Sequence, residues 1–189
     1  MTIVCARRIL SGLAVSVLLA VVSQAADLTA YVGGVKPGKL SVSGVKTALD
    51  GSPIFGFRLA TDFVPMLGLE HTIAFSSDYL FPHNLSAITN PKGFVFNSNL
   101  IVNLPTGSIV PYLTAGVGLI HQYGNSGLPE NARVGTKFAV NYGGGLKFPR
   151  MIGPIGARFD VRGYTAMGVF SNSLSMIEVT GGVLISLGH

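Results

Sequence analysis

Charge is scarce in this sequence. Of its 189 residues, 11% are Asp, Glu, Lys or Arg, against roughly 25% in an ordinary soluble domain. Cysteine is nearly absent: the single one is Cys5, inside a segment read below as cleaved, so the mature chain has no disulfide. Long apolar runs are missing as well. Beyond the first two dozen positions nothing approaches the ~18 apolar residues that a membrane-crossing helix needs. Neither sign of charge dominates. The formal net charge is +5, and loss of Arg7 and Arg8 leaves +3, too little to argue for nucleic acid. No His, Cys, Asp or Glu set has metal-ligand spacing, so neither metal nor cofactor is expected. Gly143-Gly144-Gly145 lies mid-strand with no helix after it, which excludes a phosphate-cradling loop.

What is present is apolar residues and glycine. The chain is 48% hydrophobic with 25 glycines, and its mean hydropathy is +0.52. A hydrophobic chain without spanning helices points to a closed barrel, the other structure that satisfies every backbone group in lipid. The start has the form of a signal peptide: Arg7 and Arg8, an apolar stretch over 9–22, then Ser23-Gln24-Ala25. Cleavage is expected before Ala26. Cys5 precedes the apolar stretch and so is no lipid-attachment site. The expected organisation is a signal peptide over 1–25 and one barrel over 26–189.

Eight runs alternate apolar and polar residues, over 28–35, 54–61, 67–75, 93–104, 110–121, 137–148, 155–165 and 176–187. Period two is the strand signature, and lengths near ten suit tilted membrane strands. The connections at 62–66, 105–107 and 149–154 are short. Those at 36–51, 77–91, 122–136 and 166–175 are long. This is the asymmetry of an all-β, eight-stranded antiparallel up-and-down transmembrane β-barrel, with tight periplasmic turns and longer outer loops.

Alternation does not say which face is outside, but the two faces differ in kind. One carries Phe55, Phe57, Leu59, Phe94, Phe96, Leu113, Phe138, Tyr142, Phe159 and Val179. It is bulky and nearly uncharged, as lipid demands. The other carries Gly56, Thr72, Asn97, Asn99, Gly116, Gly118, Asn141 and Gly143, small residues that fit a narrow lumen. Tyr31, Tyr79, Tyr112, Tyr164, Phe148 and Phe170 fall near strand ends and are expected in aromatic girdles. Seven charges share the small face: Arg58, Glu70, Lys147, Arg158, Asp160, Arg162 and Glu178. A turn centred on Val64 sets Arg58 across from Glu70. The seventh connection brings Arg162 near Glu178, and Asp160 lies between Arg158 and Arg162 within reach of Lys147. Buried charges must be paired, so these seven are expected to form a salt-bridged plug, with an ion path or gate as the alternative.

In the order of its motifs the chain resembles the small outer-membrane β-barrel family of the OmpA transmembrane-domain and OmpX type. The residues that carry the likeness are Pro111-Tyr112-x-x-x-Gly116-x-Gly118, the stretch from Phe138 to Lys147, Gly156-x-Arg158-x-Asp160-x-Arg162-x-Tyr164, and the closing Thr180-x-Gly182-Val183-x-Ile185-x-Leu187. The last looks like the signal read by the barrel-assembly machinery. That signal usually ends in an aromatic residue, whereas this chain ends Leu187-Gly188-His189. The resemblance implies the outer membrane of a Gram-negative envelope, with outer-membrane lipid and lipopolysaccharide as surroundings. It implies a structural or interaction barrel displaying four outer loops, with no external ligand identified. A narrow solute or ion pore is the second reading, and a lipid A-modifying enzyme the third. For catalysis the candidates are His83, with Ser77 and Asp78 upstream, and His121; no triad spacing is visible, and no catalytic residue is assigned. His71 is expected to pack on the apolar face and His189 to be inert. The first long loop carries Lys36, Lys39 and Lys46 against Asp50; a solvated loop is the first reading, and a basic rim that meets lipopolysaccharide phosphates or an acidic partner is the second.

Overall fold

Side chains that alternate at period two demand a sheet with two unlike faces, and a sheet with an apolar outer face must close to hide its edges in lipid. The computed structural model describes residues 26–38, 40–42, 45–47, 51–77, 92–104, 106–123, 135–169 and 172–187. The signal-peptide segment, Lys39, Asp50, Asp78, Tyr79, His83, Phe170 and His189 lie outside them.

The strands are β1 (Ala26–Pro37), β2 (Leu40–Val42), β3 (Val45–Thr47), β4 (Ser52–Val64), β5 (Leu67–Ser77), β6 (Lys92–Asn103), β7 (Val110–Tyr123), β8 (Thr136–Ile152), β9 (Ile155–Val169) and β10 (Asn172–Leu187). β2 and β3 form a small separate hairpin within the first long connection. The other eight close a barrel in chain order, each antiparallel to its neighbours. β1 seals against β10 from Ala26 opposite Leu187 to Pro37 opposite Met176. Among the described residues no helix is long and apolar enough to cross a membrane.

The expected fourth long connection is corrected. β9 continues through Val169 and β10 begins at Asn172, so most of 166–175 is strand. Ala166 pairs with Leu174, and both point inward and are buried. The serines around Leu174 have loop composition, which masked the pairing. At the opposite end β8 runs through Pro149 to Ile152, beyond the expected stop at 148. A register shift between Phe148 and Ile152 accommodates the proline, as bulges do. Within that bulge Arg150 has φ 54°, a left-handed conformation that costs a non-glycine residue about 1–2 kcal/mol.

The girdle expectation is also corrected. Tyr31, Tyr112 and Tyr164 are buried inside the barrel. Each has inward parity on its strand, and the lumen supplies polar partners for the phenols of Tyr112 and Tyr164. The outer aromatic surface is mainly phenylalanine. Phe55, Phe75 and Phe94 form a cross-strand ladder with ring centroids 6.0 and 5.4 Å apart, and Phe148 meets Phe159 edge-on.

Glycines serve both faces. Inside, Gly116 and Gly118 lie against Asn99 and Asn97, and a Cβ on either would collide with a β6 carbonyl and the amide. Their bareness makes room for the lumen asparagines. Outside, Gly163 lies under the Tyr142 ring, whose nearest atoms would be 3.0–3.2 Å from an added Cβ, an aromatic covering of a bare strand position.

Solution behaviour and glycine substitutions check this architecture. The protein is expected to require detergent, to give strand-dominated circular dichroism, and to migrate differently on SDS gels before and after boiling. A soluble monomer without detergent contradicts it. Gly116→Ala should destabilise by about 1–3 kcal/mol through overpacking. Gly34→Ala, where an added Cβ would have its nearest neighbour at 3.9 Å, should stay within about 0.5 kcal/mol.

Candidate functional site: the ion-paired lumen

Inward parity gathers charges from four strands: Arg58 on β4, Glu70 on β5, Arg158, Asp160 and Arg162 on β9, and Glu178 on β10. All six are buried, with Arg58, Arg158, Arg162 and Glu70 at 0% exposure. Arg58 is 2.7 Å from Asp160 and 2.5 Å from Glu178. Arg158 is 2.6 Å from Glu70 and 3.1 Å from Asp160. Arg162 repeats that pattern, at 2.6 Å from Glu70 and 3.1 Å from Asp160. Three guanidinium groups thus meet three carboxylates in one neutral cluster, and Asp160 touches all three arginines.

Neutral groups complete the cluster. The Tyr112 hydroxyl donates to Asp160 and accepts from Arg158 Nε and Nη2 at 3.1 and 2.9 Å. The Tyr164 hydroxyl donates to Glu178 at 3.0 Å and accepts from Asn97 at 3.3 Å. Arg58 also donates to Thr180 at 3.2 Å, and its guanidinium lies 3.8 Å from the centre of the Tyr31 ring. Asn99 and Asn141 are hydrogen-bonded at 2.9 Å.

All seven charges expected on the small face point into the lumen, but their partners differ from those the strand register suggested. Arg58 does not pair with Glu70. The β4–β5 turn is centred at Pro65 rather than Val64, so Arg58 lies opposite Thr72 and Glu70 opposite Ala60. Lys147 does not reach Asp160; it pairs with Asp27 at 3.2 Å. Arg162 and Glu178 are directly opposite in register. Yet Arg162 reaches Glu70 and Asp160, while Glu178 takes Arg58. The reason is geometric: long side chains in a closed barrel can span the bore, whereas register gives only neighbours along the sheet. Asp160 does sit between Arg158 and Arg162, bonded to both.

Sequence reading missed several participants. Asp27, Tyr112 and Tyr164 have inward parity, which was the available signal. It also missed an apolar layer. Val35, Ile54, Val95, Ile120, Leu174 and Met176 are buried in one cluster. They lie near the strand ends that lead to the long connections, on that side of the charges. At the other end, beside the short connections and both barrel termini, the lumen opens into a cavity of about 720 Å³ lined by charged, polar and apolar residues. From end to end the interior is an apolar cap, a charge layer and an open mouth.

The remaining candidates are dispersed. His71 faces outward, 2.9 Å from Ser98 Oγ and stacked on Phe96. His121 also faces outward, 2.7 Å from Thr136 Oγ1 and stacked on Tyr123. Neither carries a carboxylate partner among the described residues. Lys36 is exposed on the outer face of β1. Lys46 falls in β3. Among the described residues there is no group of three or more His, Cys, Asp or Glu that could hold a metal.

The architecture is that of a closed eight-stranded antiparallel barrel, and solved structures share it. The chain is similar to Neisserial surface protein A (NspA), with TM-score 0.61, 14% identity, 85% of this chain and 96% of that one covered. It is similar to the outer membrane enzyme PagL, with TM-score 0.53, 16% identity and coverage of 84% and 98%. It is similar to the N-terminal β-barrel domain of Pseudomonas aeruginosa OprF, with TM-score 0.51, 14% identity and coverage of 86% and 98%. No known family profile and no curated protein sequence matches the chain. At such identities the likeness defines the fold, that of the small outer-membrane barrels, and not an activity.

The cluster makes a testable statement about coupling. Arg58→Met strands Asp160 and Glu178 in the interior, a loss of about 3–5 kcal/mol for a dry buried pair. In double-mutant cycles on unfolding in detergent, Arg58→Met with Glu178→Gln should show larger coupling than Arg58→Met with Glu70→Gln. Equal coupling would mean that the guanidinium is not committed to the β10 carboxylate.

Proposed function

We propose that the protein is a structural or interaction barrel of the outer membrane, its lumen a solid ion-paired plug and its loops its contact surface. One observation carries this reading: the bore is occupied by two different layers in series. Eight strands enclose an interior just wide enough for side chains. Here the charge layer spans that width, and the apolar cap lies between it and the long connections. An ion would have to displace both. The bulky, uncharged outer face supports residence in a bilayer, since a cation at the midplane of such a face costs about 2–4 kcal/mol. Outer-membrane lipid and lipopolysaccharide would surround that face, and the barrel-assembly machinery would insert it. The long connections would face outward. This reading assigns no catalytic residue: among the described residues His71 and His121 each have a hydroxyl partner and no carboxylate beside them.

Purified protein in a planar bilayer should give no regular channel steps. Ohmic channels whose conductance changes in Arg58→Met would replace the plug with a pore. For orientation, a short tag within 124–134, read from the sequence as part of a long outer connection, should be accepted and labelled on intact cells. Labelling only after the outer membrane is broken would invert the topology.

A further inference from the structure

The open mouth has chemistry that the plug does not use. Its lining includes Asp27, Asp62, Asn103, Lys147, Arg150 and Ser186. Two of these are satisfied by each other: Lys147 pairs with Asp27 at 3.2 Å, and Ser186 donates to the same carboxylate at 3.0 Å. Asn103 is different. It is 3% exposed, and its Nδ2 donates to Asp62 Oδ1 at 3.1 Å. Because the amide nitrogen must face that carboxylate, the amide oxygen is the end left over, and this buried Oδ1 has no hydrogen-bond partner. Buried acceptors are nearly always satisfied. An acceptor oxygen next to a carboxylate is placed to receive a cationic N–H donor.

Arg150 supplies the opposite charge. It lines the same cavity, is exposed, and has no ion-pair partner among the described residues. Its φ of 54° is one that glycine adopts without strain and arginine does not. The bulge therefore holds a strained residue where glycine would fit better, and such strain clusters at ligand clamps and active sites.

We propose that this mouth binds a small zwitterion, a molecule carrying both an ammonium and a carboxylate, such as a free amino acid or the end of a peptide. The ammonium is taken by Asp62 and Asn103 Oδ1, and the carboxylate by the Arg150 guanidinium, the side chain suited to planar recognition of carboxylates. The apolar cap closes the far side, so such a molecule enters and leaves by the same mouth.

The test uses the protein in detergent micelles, titrated with glycine and with triglycine. The readout is the Asn103 side-chain amide in nuclear magnetic resonance, assigned by its loss in Asn103→Leu, with equilibrium dialysis of radiolabelled glycine as a second measure. A saturable shift is expected with at least one zwitterion. Acetate and ethylamine, each carrying one charge, should bind about tenfold more weakly, the worth of one charged hydrogen bond. Arg150→Gly should raise the unfolding midpoint while weakening zwitterion binding about tenfold. A purely structural arginine would not separate stability from binding in this way. Tighter binding of triglycine assigns the site to a peptide end; tighter binding of glycine assigns it to a free amino acid. The proposal is overturned if neither zwitterion saturates by either measure, if acetate or ethylamine equals glycine, or if Arg150→Gly binds as the parent does.

Discussion

Charge neutrality inside a closed bore is the constraint on which the rest depends. Three arginines cannot be taken into a barrel unless three carboxylates come with them, because an uncompensated buried charge costs several kcal/mol. Asp160 is the hub, shared by Arg58, Arg158 and Arg162. The partners come from β4, β5, β9 and β10, so the cluster forms only when the sheet has closed and the register is right. A slip of one residue on any of these strands would turn a charge out to the apolar face. The cluster thus reports correct closure as much as it fills space.

Closure in turn explains the glycines. Long arginines and asparagines need room, and the facing strands supply it by having no side chains where Gly116 and Gly118 stand. On the outside the same bareness is covered by rings, Tyr142 over Gly163 and Phe159 beside Gly181. Tyr112 and Tyr164 serve the inside, where their hydroxyls bond carboxylates that would otherwise depend on arginine alone. Polar groups in such a network raise the cost of leaving any member out.

The interior is layered along the axis, and the layers have different consequences. The apolar cap near the long connections needs no partners and excludes water. The charge layer beneath it is rigid because every guanidinium is tied to at least two carboxylates. The mouth near the short connections stays open, and strain at Arg150 collects there rather than in the body of the barrel. A scaffold with a rigid middle can hold adaptable surfaces at both ends.

Strand number and the inward and outward faces were legible in the residues, because a two-residue period is a local property. Phe55 and Phe57 against Gly56 and Arg58 declare their faces without reference to any other strand. Composition misled where it competed with period. The serines near Leu174 have loop character although the strand runs through them, and tyrosines near strand ends resembled a girdle although their parity pointed inward. The ion pairs were not legible at all. Register could bring Arg162 beside Glu178, but which carboxylate each arginine grips is decided across the bore, between residues about a hundred positions apart, such as Arg58 and Asp160. Sequence order carries information along the chain and, through turns, to the adjoining strand. Only closure of the sheet into a barrel creates the third direction, and the lumen partnerships exist in that direction alone.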